Sequence, residues 1–281
     1  PSRYLDPTRA PLLNDVAGDR EKRDYDGLTL RIEHSLPWAE FTSTTAYRHF
    51  SSLNRQDNDG SNNPAVYLST TNVEGNRSFQ QEFRLTGKSA TAHWLAGVSF
   101  YDERAAQSAL ADATTTSLDT LSGNLLGTPL FSTVNQLAAA AGVAGIDLLS
   151  LPWQERMSNV ARNRAQAIFG DVIWQLSPST HLTTGLRLTR DDKTFSWFNP
   201  LREATALDAR LQALDAAGLF PGLVAAGAIS QDQADQLRGA MGQNALIATQ
   251  GATGAPLQVR KRWTDTSPRL VLDHRYSPDL I

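Results

Sequence analysis

Strict alternation of apolar and polar side chains runs through residues 166–193, QAIFGDVIWQLSPSTHLTTGLRLTRDDK. Successive side chains of a β-strand point to opposite faces, so a period of two predicts strands with one apolar and one polar face. The residues Ser177 to Thr180 interrupt the pattern with a sequence typical of turns. The segment therefore predicts a β-hairpin closed by a short turn.

The same alternation recurs along the chain, in residues 28–33, 41–50, 78–86, 94–101 and 269–275. We predict an all-β, antiparallel, up-and-down meander of seven strands and the first residues of an eighth. Short turns are expected at 36–38, 87–91, 177–180 and 277–279, and long connections at about 54–74, 105–158 and 196–259. Short turns at one end and long loops at the other are typical of outer-membrane barrels.

Three features favour the wall of a transmembrane β-barrel over a soluble β-sandwich, which also alternates. The predicted strands reach roughly 10 residues, the length that a tilted strand needs to cross a bilayer. Tryptophans lie where the strands are expected to end, as in the aromatic girdles of barrels. They are Trp38, Trp94 and Trp174 on the short-turn side, and Trp197 and Trp263 on the long-loop side. The third feature is that the second face is charged.

Charged side chains on this second face are candidates for lining the inside of the barrel. An isolated charge facing lipid near the midplane would cost about 2–4 kcal/mol, so the phase of the alternation assigns these side chains to a lumen filled by water or protein. The set is Glu82, Arg84, Asp171, Arg187, Asp191 and Arg269. At the loop end, Trp197, Arg262 and Trp263 are candidates for a rim that contacts a ligand, with interfacial anchoring as the alternative.

The long connections contain helical patterns. Leu207, Leu211 and Leu214 share one helical face, and Ser230 with Gln233 predicts a capping box at the start of another helix. A further short helix is expected over residues 133–141. Such helices either let large loops bury their own apolar surface or act as lids that capture a ligand.

Several classes of chemistry find no support in the sequence. The 281 residues include no cysteine, and the five histidines are scattered without metal-binding spacing. A net charge of −3 and the lack of a basic face argue against nucleic acid as a partner. We therefore predict no catalytic residues, no metal site and no cofactor in the wall.

Four segments resemble barrel segments of TonB-dependent outer-membrane receptors, in the order found in that family. They are NRSFQQEFRLTG (76–87), HWLAGVSFYDE (93–103), the hairpin at 167–193 and SPRLVLDHRYSPDL (267–280). The resemblance covers most strand residues and almost none of the loops. It implies a barrel of roughly 22 strands around an N-terminal plug domain, of which this chain would supply about a third.

The resemblance also implies partners and a location. The expected partners are outer-membrane lipid, the plug domain of the same protein, TonB acting on a box before the plug, and a small extracellular ligand such as a ferric siderophore. Inward-facing glutamates of such barrels can pair with plug arginines, and Glu82 matches such a position; the alternative is an ion pair with Arg84 or an arginine on a neighbouring strand. Neither a plug nor a TonB box is recognisable, so the chain is expected to be part of a longer protein. The competing hypothesis is a non-transporting barrel or a soluble β-sheet binding or adhesion module.

Overall fold

The computed structural model describes residues 14–276, and their main feature is one antiparallel sheet of seven strands in sequential order. Each strand pairs with its neighbours in the chain, as the predicted meander requires. The strands are β1 (Arg20–Ser35), β2 (Glu40–Asp57), β3 (Leu68–Lys88), β4 (Ala92–Thr114), β5 (Pro152–Ser177), β6 (Thr180–Phe198) and β7 (Leu257–His274). Residues 277–281, where an eighth strand was predicted to begin, lie outside the described range.

The strands are longer than the alternation predicted, with 16 residues in β1 and 26 in β5. The predicted bounds of the long connections were therefore wrong: these run over 58–67, 115–151 and 199–256. Beyond residue 104, β4 continues as AAQSALADAT, in which small and polar side chains replace large apolar ones. Backbone pairing persists there although the apolar signal has ended, because ladder hydrogen bonds do not depend on side-chain polarity.

Within residues 14–276 the sheet is open, and β1 and β7 are its two edges. The three short turns lie at one end of the sheet and the three long connections at the other. Trp38, in the first turn, stacks on Trp94 at the start of β4, with 6.2 Å between ring centroids. Among the described residues, no helix has the length and apolar character needed to cross a membrane.

Five helices in the two longest connections pack together into one unit, here named the helical cap. They are α1 (Thr115–Leu126), α2 (Leu130–Ala140), α3 (Thr205–Ala216), α4 (Leu219–Ala225) and α5 (Gln231–Gly242). Leu207 and Leu214 are fully buried, as their helical spacing predicted, and the Ser230–Gln233 capping box is present. The helix predicted at 133–141 is α2, which begins three residues earlier.

The core of the helical cap joins the two connections to β5. Phe131 of α2 contacts the indole of Trp153 edge-on, with ring centroids 6.4 Å apart. Leu148, Leu207 and Met241 are buried in the same cluster. The large buried side chains of this structure therefore lie in the cap or, like Trp153, against it, whereas the other large apolar side chains of the sheet are exposed or half-buried. The prediction that long loops pack on themselves is confirmed.

Candidate functional site

The register assigns every strand residue to one of two faces, because directly opposed residues of neighbouring strands share a face. One face, here named the apolar face, carries large apolar side chains over its turn-proximal half. Its members include Leu28, Ile32, Phe41, Phe79, Phe83, Leu85, Trp94, Val98, Phe100, Ile168, Val172, Trp174, Leu186, Leu188, Leu270 and Leu272. The opposite face, here named the polar face, carries all six charged residues predicted to line a lumen.

The apolar side chains form a band that ends obliquely to the strands. Its last large apolar residue is Leu28 on β1, Phe100 on β4 and Leu188 on β6, beyond which charged side chains follow. Leu28 lies in the same cross-strand row as Asp192, so the end of the band shifts by four residues over five strand spacings. That is about 13 Å along the strands over about 24 Å across them, an angle of about 30°. Strands in barrels are tilted by a similar amount, roughly 35–45°.

Asp171 and Arg269 form an ion pair across β6 on the polar face, with 3.7 Å between Oδ1 and Nη1. Gly185 lies between them in the register. A Cβ at residue 185 would lie 2.0 Å from the Asp171 carboxylate, so only glycine leaves room for this contact. Two of the predicted lumen residues thus belong to one wall salt bridge.

Arg187 is held over the ring of Phe169 on the same face, with 5.1 Å from the guanidinium carbon to the ring centroid. A Cβ at Gly97 would lie 2.5 Å from the Phe169 ring, so this glycine makes room for the ring. The guanidinium also reaches within 3.5 Å of the Ser99 hydroxyl on β4, at the limit of a hydrogen bond. A flat ring and a cation are therefore presented side by side.

Glu82 and Arg84 point from the polar face of β3, opposite Ser99 and Gly97. Neither makes an ion pair with any residue between 14 and 276, so the predicted alternative of a pair between them or with a neighbouring arginine is wrong for this part of the chain. The Nε atom of Arg84 is buried without a hydrogen-bond partner. Asp191 lies on the polar face opposite Trp263.

The predicted rim set is divided between the two faces. Trp197 and Trp263 lie on the polar face, where Trp197 stacks on Phe195 at 5.8 Å and the Lys193 ammonium lies 5.7 Å from the Trp263 ring. Arg262 lies on the opposite face and donates to Asp192 at 2.8 Å. The structure therefore does not bring Arg262 together with the two tryptophans, because neighbours in a strand face opposite ways.

A depression on the polar face, near the loop end, was not predicted from the sequence. It has a volume of about 450 Å³ and is lined by Phe50, Phe195, Glu74, Asn76, Gln107 and Asn159, with Ala105 and Ala161 as its floor. Gln107 donates to Glu74 at 3.2 Å, and Asn76 donates to Glu103 at 2.6 Å. Amides and carboxylates between two aromatic rings can bind the hydroxyl and amide groups of a small ligand. In the sequence, the only sign of this depression was one amide side chain on each of three strands: Asn76 on β3, Gln107 on β4 and Asn159 on β5.

The helical cap is fixed to the polar face by a buried carboxylate. Glu155 of β5 is fully buried, and its oxygens accept from the Trp153 indole N–H at 2.8 Å. They also accept from three successive backbone N–H groups, those of Ala245 at 2.6 Å, Leu246 at 3.0 Å and Ile247 at 2.5 Å. The Arg202 guanidinium lies 4.6 Å from the Trp153 ring centroid and donates to Asp208. Three consecutive amides around one carboxylate form an anion nest that closes the 199–256 connection onto the sheet.

Three carboxylates converge beside the shortest of the long connections. Asp15, Asp57 and Asp59 each offer an oxygen within 4.8 Å of the others, in a segment that the sequence analysis predicted to hold no metal. The DNDG sequence at 57–60 was the available signal. Acidic groups often lie together on protein surfaces without a cation.

The same cluster makes stability depend on pH. Burial raises the pKa of the Asp15 carboxyl, and the charges of Asp59 and Asp57 raise it further. The folded state therefore binds a proton more readily than the unfolded state, so stability is lowest above the raised pKa and recovers as the pH falls through it. We expect Asp15→Asn to raise the unfolding midpoint at neutral pH and to flatten this pH profile. The exposed Asp273→Asn is the control; equal profiles for the two variants would contradict the assignment.

Comparison with known proteins identified no family model, no curated protein and no solved structure that matches this chain.

Proposed function

We propose that the sheet forms part of the wall of a transmembrane β-barrel in a bacterial outer membrane. The barrel would belong to a TonB-dependent receptor that takes up a scarce nutrient such as a ferric siderophore. The observation that carries the proposal is the oblique band of exposed apolar side chains. A flat band that crosses tilted strands at an angle fits a planar slab of hydrocarbon, whereas a soluble sheet would cover its apolar face with its own core.

The dimensions of the band support the same conclusion. On β5 it extends from Ile168 to Leu176, which is about 26 Å along the strand and, at a tilt of about 30°, about 23 Å in height; the apolar belt of known barrels is about 25 Å tall. Ile168 is 58% exposed and Leu270 75% exposed. Exposing so many neighbouring apolar side chains to water would cost free energy. Lipid would cover them.

The proposed transport role rests on the polar face and the helical cap. In a closed barrel the polar face would line the lumen, with Glu82 and Arg84 available to a plug domain. The cap lies at the end of the long loops and covers that face through Trp153 and Glu155, so it would sit at the outer mouth. The depression between Phe50 and Phe195 would then be the first polar surface below the cap. The wall would bind and guide a ligand without chemical conversion, and TonB would supply energy through the plug.

Two measurements test this proposal. Cells that produce the protein should retain it in the outer-membrane fraction after carbonate extraction, and its purification should require detergent. A strain lacking the gene should lose growth on iron supplied as a ferric chelate, with uptake of oligosaccharides as the comparison. Soluble, monodisperse protein without detergent would favour a β-sheet binding module instead. Membrane insertion without any uptake defect would favour a non-transporting barrel.

A further inference from the structure

Seven arginines lie on the apolar face just beyond the end of the apolar band. They are Arg77, Arg104, Arg162, Arg164, Arg190, Arg260 and Arg262, here named the arginine belt, and all are exposed. The carboxylates on this face at the same level of β3 to β7 are Asp102 and Asp192. Seven positive charges less two negative charges leave an excess of five. The whole chain has a net charge of −3, so this excess is local to the belt.

Part of the belt violates the usual rules of strand pairing. Arg77 lies directly opposite Arg104, and Arg104 directly opposite Arg162. Like charges in such positions destabilise a sheet. Asp102 pairs with Arg162 at 3.2 Å and with Arg164 at 2.7 Å, but Arg77 and Arg104 make no ion pair with any part of the chain that the structure describes. A row of unpaired like charges that the fold itself does not stabilise indicates an external anion.

The position of the belt shows at what depth this anion would lie. On one side the belt borders the apolar band, at Phe79, Phe100 and Ile168. On the other side the next row of the same face is uncharged from β2 to β7, with Ser51, Gly75, Ala106, Val160, Ser196 and Gln258, and carries only the acidic Asp24 on β1. The cations are thus confined to the border of the band, where a bilayer places its headgroups.

We propose that the arginine belt binds the phosphate groups of lipids that surround the apolar band. This inference rests on the proposed membrane location of the sheet and adds a specific lipid partner to it. The planar guanidinium fork matches the oxygens of phosphate and binds two of them at once. Arginines on adjacent strands are spaced by one strand separation, so neighbouring guanidinium groups can share one phosphate or bind successive headgroups.

The test measures lipid binding by the detergent-purified chain. Native mass spectrometry in a neutral detergent would compare phosphatidic acid with diacylglycerol of the same acyl chains, and with inorganic phosphate alone. We expect a preference for phosphatidic acid that weakens with salt. Replacing Arg77 and Arg104 by glutamine should weaken its binding about twenty-fivefold, since each basic residue at an anionic surface contributes roughly fivefold. Arg77→Lys with Arg104→Lys should keep most of the binding, which separates loss of charge from loss of fold.

The matched control removes two positive charges from the polar face, with Arg48→Gln and Lys193→Gln, and should leave lipid binding unchanged. Equal retention of phosphatidic acid and diacylglycerol would overturn the inference, as would equal binding of inorganic phosphate or an unchanged Arg77→Gln/Arg104→Gln variant. In those cases the need for detergent would still support the membrane location. Solubility without detergent would instead remove the proposed function on which the inference rests.

Discussion

Thr45→Arg should lower the free energy of unfolding in lipid by about 2–4 kcal/mol relative to Thr44→Arg, because an arginine on the lipid face near the midplane carries that cost. Thr44 and Thr45 are neighbours in β2, of the same residue type and both partly exposed. Thr45 lies on the apolar face, opposite Leu30 and Gln81, between the aromatic rings of Phe41 and Tyr47 along the strand. Thr44 lies on the polar face, opposite Glu82. In the proposed barrel the two threonines would therefore meet different solvents, lipid for Thr45 and the lumen for Thr44.

Denaturant unfolding in lipid vesicles measures both variants. Thr45 also donates to Gln81 at 2.6 Å, and Thr45→Ala corrects for the loss of that hydrogen bond, which is worth about 1 kcal/mol. In water both arginines would be solvated, and the two variants would unfold alike. Equal losses in vesicles would thus contradict an apolar face embedded in lipid.

The alternation along the strands was sufficient to predict their order, their faces and the position of the three short turns within residues 14–276. Phe79, Val98 and Leu186 have one phase and Glu82, Asp171 and Arg187 the other, and pairing geometry alone converts this phase into two faces. The same rule places Arg262 opposite to Trp263, so its correct face was available from the sequence. Arg262 and Trp263 are adjacent in the chain, but adjacent residues of a strand point to opposite faces, so adjacency does not place them on one surface.

The contacts that fix the helical cap were not predictable in this way. The helical spacing of Leu207 and Leu214 predicts α3, but nothing local indicates that Glu155 binds the amides of residues 245–247, which lie 90 to 92 residues away. A glutamate in a strand ordinarily faces solvent, and its burial depends on which loop folds over it. The same applies to the depression at Phe50 and Phe195, whose lining residues come from five strands, β2 to β6. Long-range pairing, rather than local propensity, determines both sites.

Glu155→Ala should detach the 199–256 connection from the sheet and lower the stability of the helical cap by about 3–5 kcal/mol. Three backbone N–H groups and the Trp153 indole would lose their acceptor, and each buried donor without a partner costs about 1–3 kcal/mol, reduced where water enters. Glu155→Gln should cause a smaller loss, because its amide keeps one acceptor oxygen but turns an N–H group toward other N–H donors.

Hydrogen exchange of the amides at 245–247 and trypsin cleavage at Arg202 measure this opening. The Arg202 side chain is 3% exposed and should become cleavable once the loop separates, whereas Arg238, at 45%, is accessible from the start and gives the reference rate.

Glu203→Ala is the matched control, since its carboxylate is 64% exposed and contacts Arg156 only at 3.7 Å, a pair worth less than about 1 kcal/mol. If Glu155→Ala and Glu203→Ala gave the same exchange and cleavage rates, the buried carboxylate would not be what closes the cap. A specific increase with Glu155→Ala would instead show that this carboxylate holds residues 245–247 and the segment around Arg202 closed against the sheet.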